Sequence, residues 1–186
     1  AAGRFRVCNA SAAAAGCSNQ VSGCDPPRFV RFGREICGEL ELAERREWWL
    51  ANGRGGYACG TVAGSLTRRY HGLLVAPLHP PLGRALLAVK ADATLHYRGR
   101  SWPLFTNRWA GGVVEPPGYL QLQCFSLEGR MPVWRFASAD LLLEQRIWME
   151  PGAHTTYVAW RLTNPASAQA TPRLRVRLMV NARDHH

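Results

Sequence analysis

The stretch RLRVRLMV, residues 173–180, alternates Arg173, Arg175 and Arg177 with Leu174, Val176 and Leu178, and a period of two sends the two sets to opposite faces of an extended chain. That is the signature of a half-buried strand, wet on one face and packed on the other. Runs of the same kind recur over 47–50, 70–76, 85–97, 119–127, 133–137, 141–149 and 156–162. Pro80-Pro81, Pro116-Pro117-Gly118, Pro151-Gly152 and Asn164-Pro165 punctuate them as turns. No segment carries a helical period over an ordinary helix length. Many strands joined by short polar turns predict an all-β fold, an antiparallel β-sandwich, rather than a parallel sheet wrapped by helices.

Residues 1–27 are rich in Ala, Ser, Gly and Cys, close on Asp25-Pro26-Pro27, and offer no apolar period. They predict a flexible leader. The remainder, 28–186, has the length of one globular domain with its own core.

The formal charge of +10 invites a nucleic-acid partner, yet 22 of the 23 basic residues are Arg, Lys90 is the lone lysine, and they are spread along the chain. Phosphate-backbone binders gather their charge on one element or face. A solvated basic surface with no nucleic-acid partner is therefore expected. No apolar run approaches the roughly 18 residues that span a bilayer, so neither a membrane segment nor a membrane partner is expected. Cys8, Cys17, Cys24, Cys37, Cys59 and Cys124 show no paired spacing and no CxxC. They are expected to be free thiols in a reducing cytoplasm, with no metal site.

Gly53-Arg54-Gly55-Gly56-Tyr57-Ala58 matches GxGxxA after a strand-like stretch, but a dinucleotide loop opens a helix. The following Cys59-Gly60-Thr61-Val62-Ala63-Gly64 disfavours one. The acidic residue due about 20 positions later is absent, since that region reads Ala76-Pro77-Leu78-His79. No cofactor is expected. No GxSxG elbow is present, and Cys59 reads as a buried structural cysteine. Glycoside hydrolysis needs two carboxylates facing each other across a sugar, and the 13 acidic residues suggest no such pair. Glu35, Glu39, Glu41, Glu44 and Glu47 read as a solvated cluster, and Asp92, Glu115, Glu128, Asp140, Glu144 and Glu150 as scattered surface charge. No catalytic residue is expected in this chain. What stands out is a concentration of aromatics and fixed donors: Trp48, Trp49, Asn52, Tyr57, Arg68, Arg69, Tyr70 and His71. Stacking faces beside polar groups suit a sugar, although core aromatics and solvated arginines would give the same inventory.

The order Glu47-Trp48, Asn52-Gly53, Gly55-Gly56-Tyr57, Gly60-Thr61, Gly64, then Thr67-Arg68-Arg69-Tyr70-His71-Gly72-Leu73-Leu74-Val75-Ala76 resembles the N-terminal domain of bacterial and archaeal glycogen debranching enzymes. Asn107, Gly111-Gly112-Val113, Pro117-Gly118-Tyr119, Pro132-Val133-Trp134 and Ile147-Trp148-Met149 extend the likeness, so that it covers about residues 28–186. Arg54, Cys59 and Ser65-Leu66 depart from the family's usual residues. The resemblance implies a supersandwich-like domain of an amylo-α-1,6-glucosidase acting on the branch points of glycogen or a limit dextrin. It also implies that the catalytic carboxylates lie in a C-terminal helical toroid, the domain's partner, expected to be absent from these residues. A free-standing carbohydrate-binding module is the alternative. Asn52, Tyr57, Arg68, Arg69, Tyr70 and His71 are the expected substrate or domain-interface residues. The four from Arg68 to His71 are expected at a strand edge facing the catalytic domain.

Overall fold

A computed structural model describes residues 4–9, 30–79, 82–164 and 170–184, the side chains of 4–9, His79 and Leu82 excepted. Among these residues the chain runs β1 (Arg4–Asn9), β2 (Val30–Phe32), α1 (Arg34–Cys37), α2 (Leu40–Glu44), β3 (Glu47–Ala51), β4 (Tyr57–Thr61), β5 (Gly72–His79), β6 (Leu82–Tyr97), β7 (Arg100–Pro103), β8 (Thr106–Arg108), β9 (Val114–Pro117), β10 (Leu122–Glu128), β11 (Met131–Ser138), β12 (Leu141–Met149), β13 (Thr155–Leu162) and β14 (Arg173–Asp184). The two α-helices have four and five residues, in keeping with the missing helical period. Of the expected leader, only the backbone of β1 falls among the described residues, lying parallel to β13.

The strands form two mostly antiparallel sheets that are not closed into a barrel. One has the order β1-β13-β12-β11-β10-β2. The other runs β14-β6-β5-β4-β3, with β7 also pairing to β6; β8 and β9 make a separate hairpin. The inward faces meet in one apolar cluster, with Trp48, Leu50, Leu74, Ala93 and Leu95 from the second sheet against Phe125, Trp134, Phe136, Ile147 and Val158 from the first. Trp134 fastens the two. Its ring meets Trp48 edge-on at 5.4 Å and Phe125 at 5.1 Å, and its Nε1–H donates to the Val62 carbonyl at 2.9 Å. A buried tryptophan thus satisfies its one donor while supplying a large apolar surface.

Alternation fails locally in β6, where the register slips against β5 between Leu74 and Val75 and against β14 between Met179 and Val180. Bulges of this kind turn side chains to a new face. Ala88 therefore joins the core while Leu86, two residues away, joins a second cluster with Tyr57, Cys59 and Val75. That cluster lies on the outward face of the second sheet. In β14 the arginines 173, 175 and 177 are exposed, and Leu174 and Val176 pack against the core as the alternation predicts. The packed face thins out beyond them on this edge strand, with Val180 70% exposed. Lys90 is buried, contrary to a uniformly solvated basic surface. Its ammonium donates to the Thr106 carbonyl and to Asn107 Oδ1, both at 2.6 Å, pinning β8 to β6. No helix among the described residues is long and apolar enough to cross a membrane.

Candidate functional site

Strand β3 alternates strictly, with Trp48 and Leu50 buried in the core and Glu47, Trp49 and Ala51 facing outward. Trp49 leaves 54% of its surface in solvent, a large apolar side chain that folding alone does not require there. It stacks on Tyr57 of β4 with ring centroids 4.5 Å apart and planes 21° from parallel. Tyr57 is itself buried, and that burial pushes its hydroxyl up to about 12. Beneath lies the second apolar cluster, against which Tyr70 and Val89 also pack.

Residues Thr67 to His71 form a turn before β5 rather than part of a strand. The backbone N–H groups of Thr67 and Arg68 approach Nδ1 of His71 at 3.3 and 3.4 Å, so that nitrogen accepts and the ring proton sits on Nε2. Nε2 stands 3.3 Å from Glu47 Oε1, the same oxygen that receives Arg68 Nε–H. His71 is 1% exposed. Burial lowers its pKa below the ordinary histidine value, with Glu47 pulling the other way. Tyr70 meets His71 edge-on at 5.4 Å, tilts against Trp49 at 6.3 Å and carries the Arg68 guanidinium 6.0 Å from its ring. Strand alternation would have sent Arg68 with Tyr70 to one face and Arg69 with His71 to the other. The turn instead gathers Arg68, Tyr70 and His71 around Glu47. The exposed Arg69 contributes its carbonyl, which accepts from Arg183 of β14 at 2.6 Å.

Asn52 lies at the far end of β3, five residues or roughly 17 Å from Glu47 along an extended strand. It is 2% exposed and wholly committed. Oδ1 accepts the N–H of Arg54 at 2.8 Å and of Gly56 at 3.0 Å, while Nδ2 reaches the Ala153 carbonyl and His154 Nδ1, both at 2.9 Å. Gly53 and Gly55 take φ of 76° and 79° in this loop, and a Cβ on Gly56 would come within 2.7 Å of His154 Nδ1. These requirements explain the glycines of the Asn-Gly-x-Gly-Gly run without a nucleotide. The GxGxxA match is a hairpin between antiparallel β3 and β4. Of the six expected residues, Tyr57, Arg68, Tyr70 and His71 thus share one patch, while Asn52 and Arg69 stand outside it. Glu47 and Trp49 complete it, and their shared face was readable from the alternation of β3.

Glu47 also borders an open groove of about 360 Å³ lined with Glu41, Glu44, Arg45, Thr67 and Arg68. The expected solvated acidic cluster is here partly engaged. Glu44 accepts from the Ser65 hydroxyl at 2.7 Å and holds the Arg108 guanidinium at 2.7 and 3.2 Å. The scattered acids divide as well. Asp92, Glu128 and Glu144 are 5%, 8% and 4% exposed, not surface charge. Glu128 and Glu144 interleave with Arg135 and Arg146 on the outward face of the first sheet, at 2.6 to 3.0 Å. Burial pulls the Glu144 carboxyl upward, but Arg146 and Arg135 outweigh it and hold the group below the ordinary carboxylate value. A glycosidase acid needs the opposite shift. Cys59 is buried, points its thiol at the Tyr70 carbonyl 3.4 Å away, and is pushed by burial to about 12, far from a thiolate. Cys37 and Cys124 are likewise buried free thiols.

A family model described as Glycogen debranching enzyme N terminal matches residues 46–186, more than half of the chain. No curated protein and no solved structure matches it.

Proposed function

The chain belongs to the glycogen debranching enzyme N-terminal family, and from that premise we propose that it is the non-catalytic domain of an amylo-α-1,6-glucosidase. It supports hydrolysis of branch-point glucose by carboxylates carried on a separate helical toroid. One observation carries the non-catalytic part of this reading. The carboxylates of Glu44, Glu47, Glu128 and Glu144 each contact an arginine, and Arg146 and Arg135 hold the Glu144 carboxyl below its ordinary value, the opposite of the raised acid that glycosidic cleavage begins with. The family description, an N-terminal portion of the enzyme, supports the other part.

The test measures glucose released from phosphorylase limit dextrin by the chain, by a family toroid domain, and by both mixed. The chain alone is expected to match a boiled control, and the mixture to exceed the toroid alone. Turnover by the chain that one Glu or Asp substitution abolishes would overturn the reading, as would a toroid that gains nothing from the chain.

A further inference from the structure

Glu47 and Trp49 sit two residues apart on the same outward face of β3, so the aromatic platform and the groove beside Glu47 are neighbours at roughly 7 Å. The indole of Trp49 is steadied beneath by Tyr57 and at its side by Tyr70, yet more than half of it is open. A fixed, half-covered ring offers a flat apolar face, and the C–H face of a pyranose is its complement. The adjoining groove, about 360 Å³, is open and lined by charged and polar side chains, a surface for hydrogen bonding rather than an apolar cleft. Its lining sets Glu41, Glu44 and Glu47 against Arg45 and Arg68, and Arg108 from outside the lining holds Glu44, so carboxylates and guanidiniums balance and the groove selects neither a strong anion nor a strong cation. Both contacts of the Glu47 carboxylate use Oε1. Oε2 and the terminal nitrogens of Arg68 are left to bond hydroxyls, and both groups suit a vicinal pair.

We infer that the Trp49 platform and this groove form one binding site for a neutral oligosaccharide, with one pyranose ring stacked on Trp49 and the next lying against Glu47 and Arg68. Stacking and hydroxyl recognition follow from the geometry. The choice of an α-1,4-glucan rests on the function proposed above.

Titrating the 186-residue chain with maltoheptaose, by calorimetry and by tryptophan fluorescence, tests the site. Saturable binding is expected. Trp49→Ala should weaken it about tenfold or more, whereas Trp109→Ala, at a comparably exposed tryptophan away from the Tyr57 and Tyr70 rings that steady Trp49, should not. Should Trp49→Ala fail to fold, a Trp109→Phe background leaves Trp49 as the most exposed described indole, and maltoheptaose must then reduce acrylamide quenching. Absence of binding by the wild type, unchanged affinity in folded Trp49→Ala, or unchanged quenching would each overturn the site. Those failures leave the debranching role standing, because it is decided by glucose release in the mixed-domain assay.

Discussion

His71 is the residue whose environment most constrains behaviour in solution. Its ring is buried, accepts two backbone N–H groups at Nδ1 and turns Nε2 toward Glu47. Burial sets the direction, so the folded pKa lies below the unfolded value of about 6.5. With a depressed folded pKa, the unfolded chain binds the proton more readily as pH falls below about 6.5. The contribution is then complete above that pH and is lost as pH drops through the folded value. The melting temperature of the wild type is expected to fall more steeply from pH 7 to pH 5 than that of His71→Asn, which keeps an acceptor near the Nδ1 position and does not titrate. The other five histidines are common to both proteins and cancel in the comparison. Parallel profiles would show that His71 is not the titrating group. Little of this was readable from sequence. A turn at 67–71 rather than a strand decides which of Arg68, Arg69, Tyr70 and His71 point together, and that turn is fixed by His71 bonding back to Thr67 and Arg68.

At the scale of elements, strands β10, β11 and β12 carry an alternating square of charge, Glu128, Arg135, Glu144 and Arg146, on their outward face. Arg135 stands directly opposite Glu144 in the register, which is the cross-strand placement that lets opposite charges meet. The arginine side chains are 26% and 31% exposed while the glutamates are about 5% or less, so solvent screens part of the attraction but little of the carboxylate burial. Glu144→Gln should therefore cost about 2 kcal/mol in denaturant titrations, below the 3–5 kcal/mol of a fully buried pair. A change within about 0.5 kcal/mol would mean the square is ornament to the sheet. The sequence located β12 to the residue, because an exposed face against a packed one makes alternation visible. It missed β4, whose five residues are all buried, since Tyr57 and Cys59 face one apolar cluster and Ala58 and Gly60 the other. A strand covered on both sides has no alternation to read. The pairing of Glu128 with Arg135 was hidden for a related reason, since it depends on register between strands rather than on spacing along one, and that of Glu44 with Arg108 because it joins the end of α2 to β8 across the fold.

For the molecule as a whole, the decisive fact is that one apolar cluster takes side chains from both sheets, with Trp134 joining them through Trp48, Phe125 and the Val62 carbonyl. Neither sheet can keep its inward face covered without the other, so the sandwich should unfold as one unit, with far-ultraviolet circular dichroism and tryptophan fluorescence tracing coincident transitions. Two tryptophans then serve as opposites. Trp134→Ala removes a 4% exposed side chain from the seam and strands the Val62 carbonyl. It should cost about 3–5 kcal/mol, a large share of the roughly 5–15 kcal/mol that holds a domain folded. Trp49→Ala removes an indole that stacks on Tyr57 but is mostly in solvent, and should cost about 1 kcal/mol. The chain thus spends Trp134 on cohesion and exposes Trp49, the sequence neighbour of Trp134's packing partner Trp48, on a surface where cohesion gains little, which is the pattern a binding platform requires. Urea titrations of the two variants decide between this division and its alternative. Equal losses would show that the outward cluster is part of the core and that Trp49 is held there for stability, and separate transitions for the two spectroscopic probes would show that the sheets do not unfold as one unit.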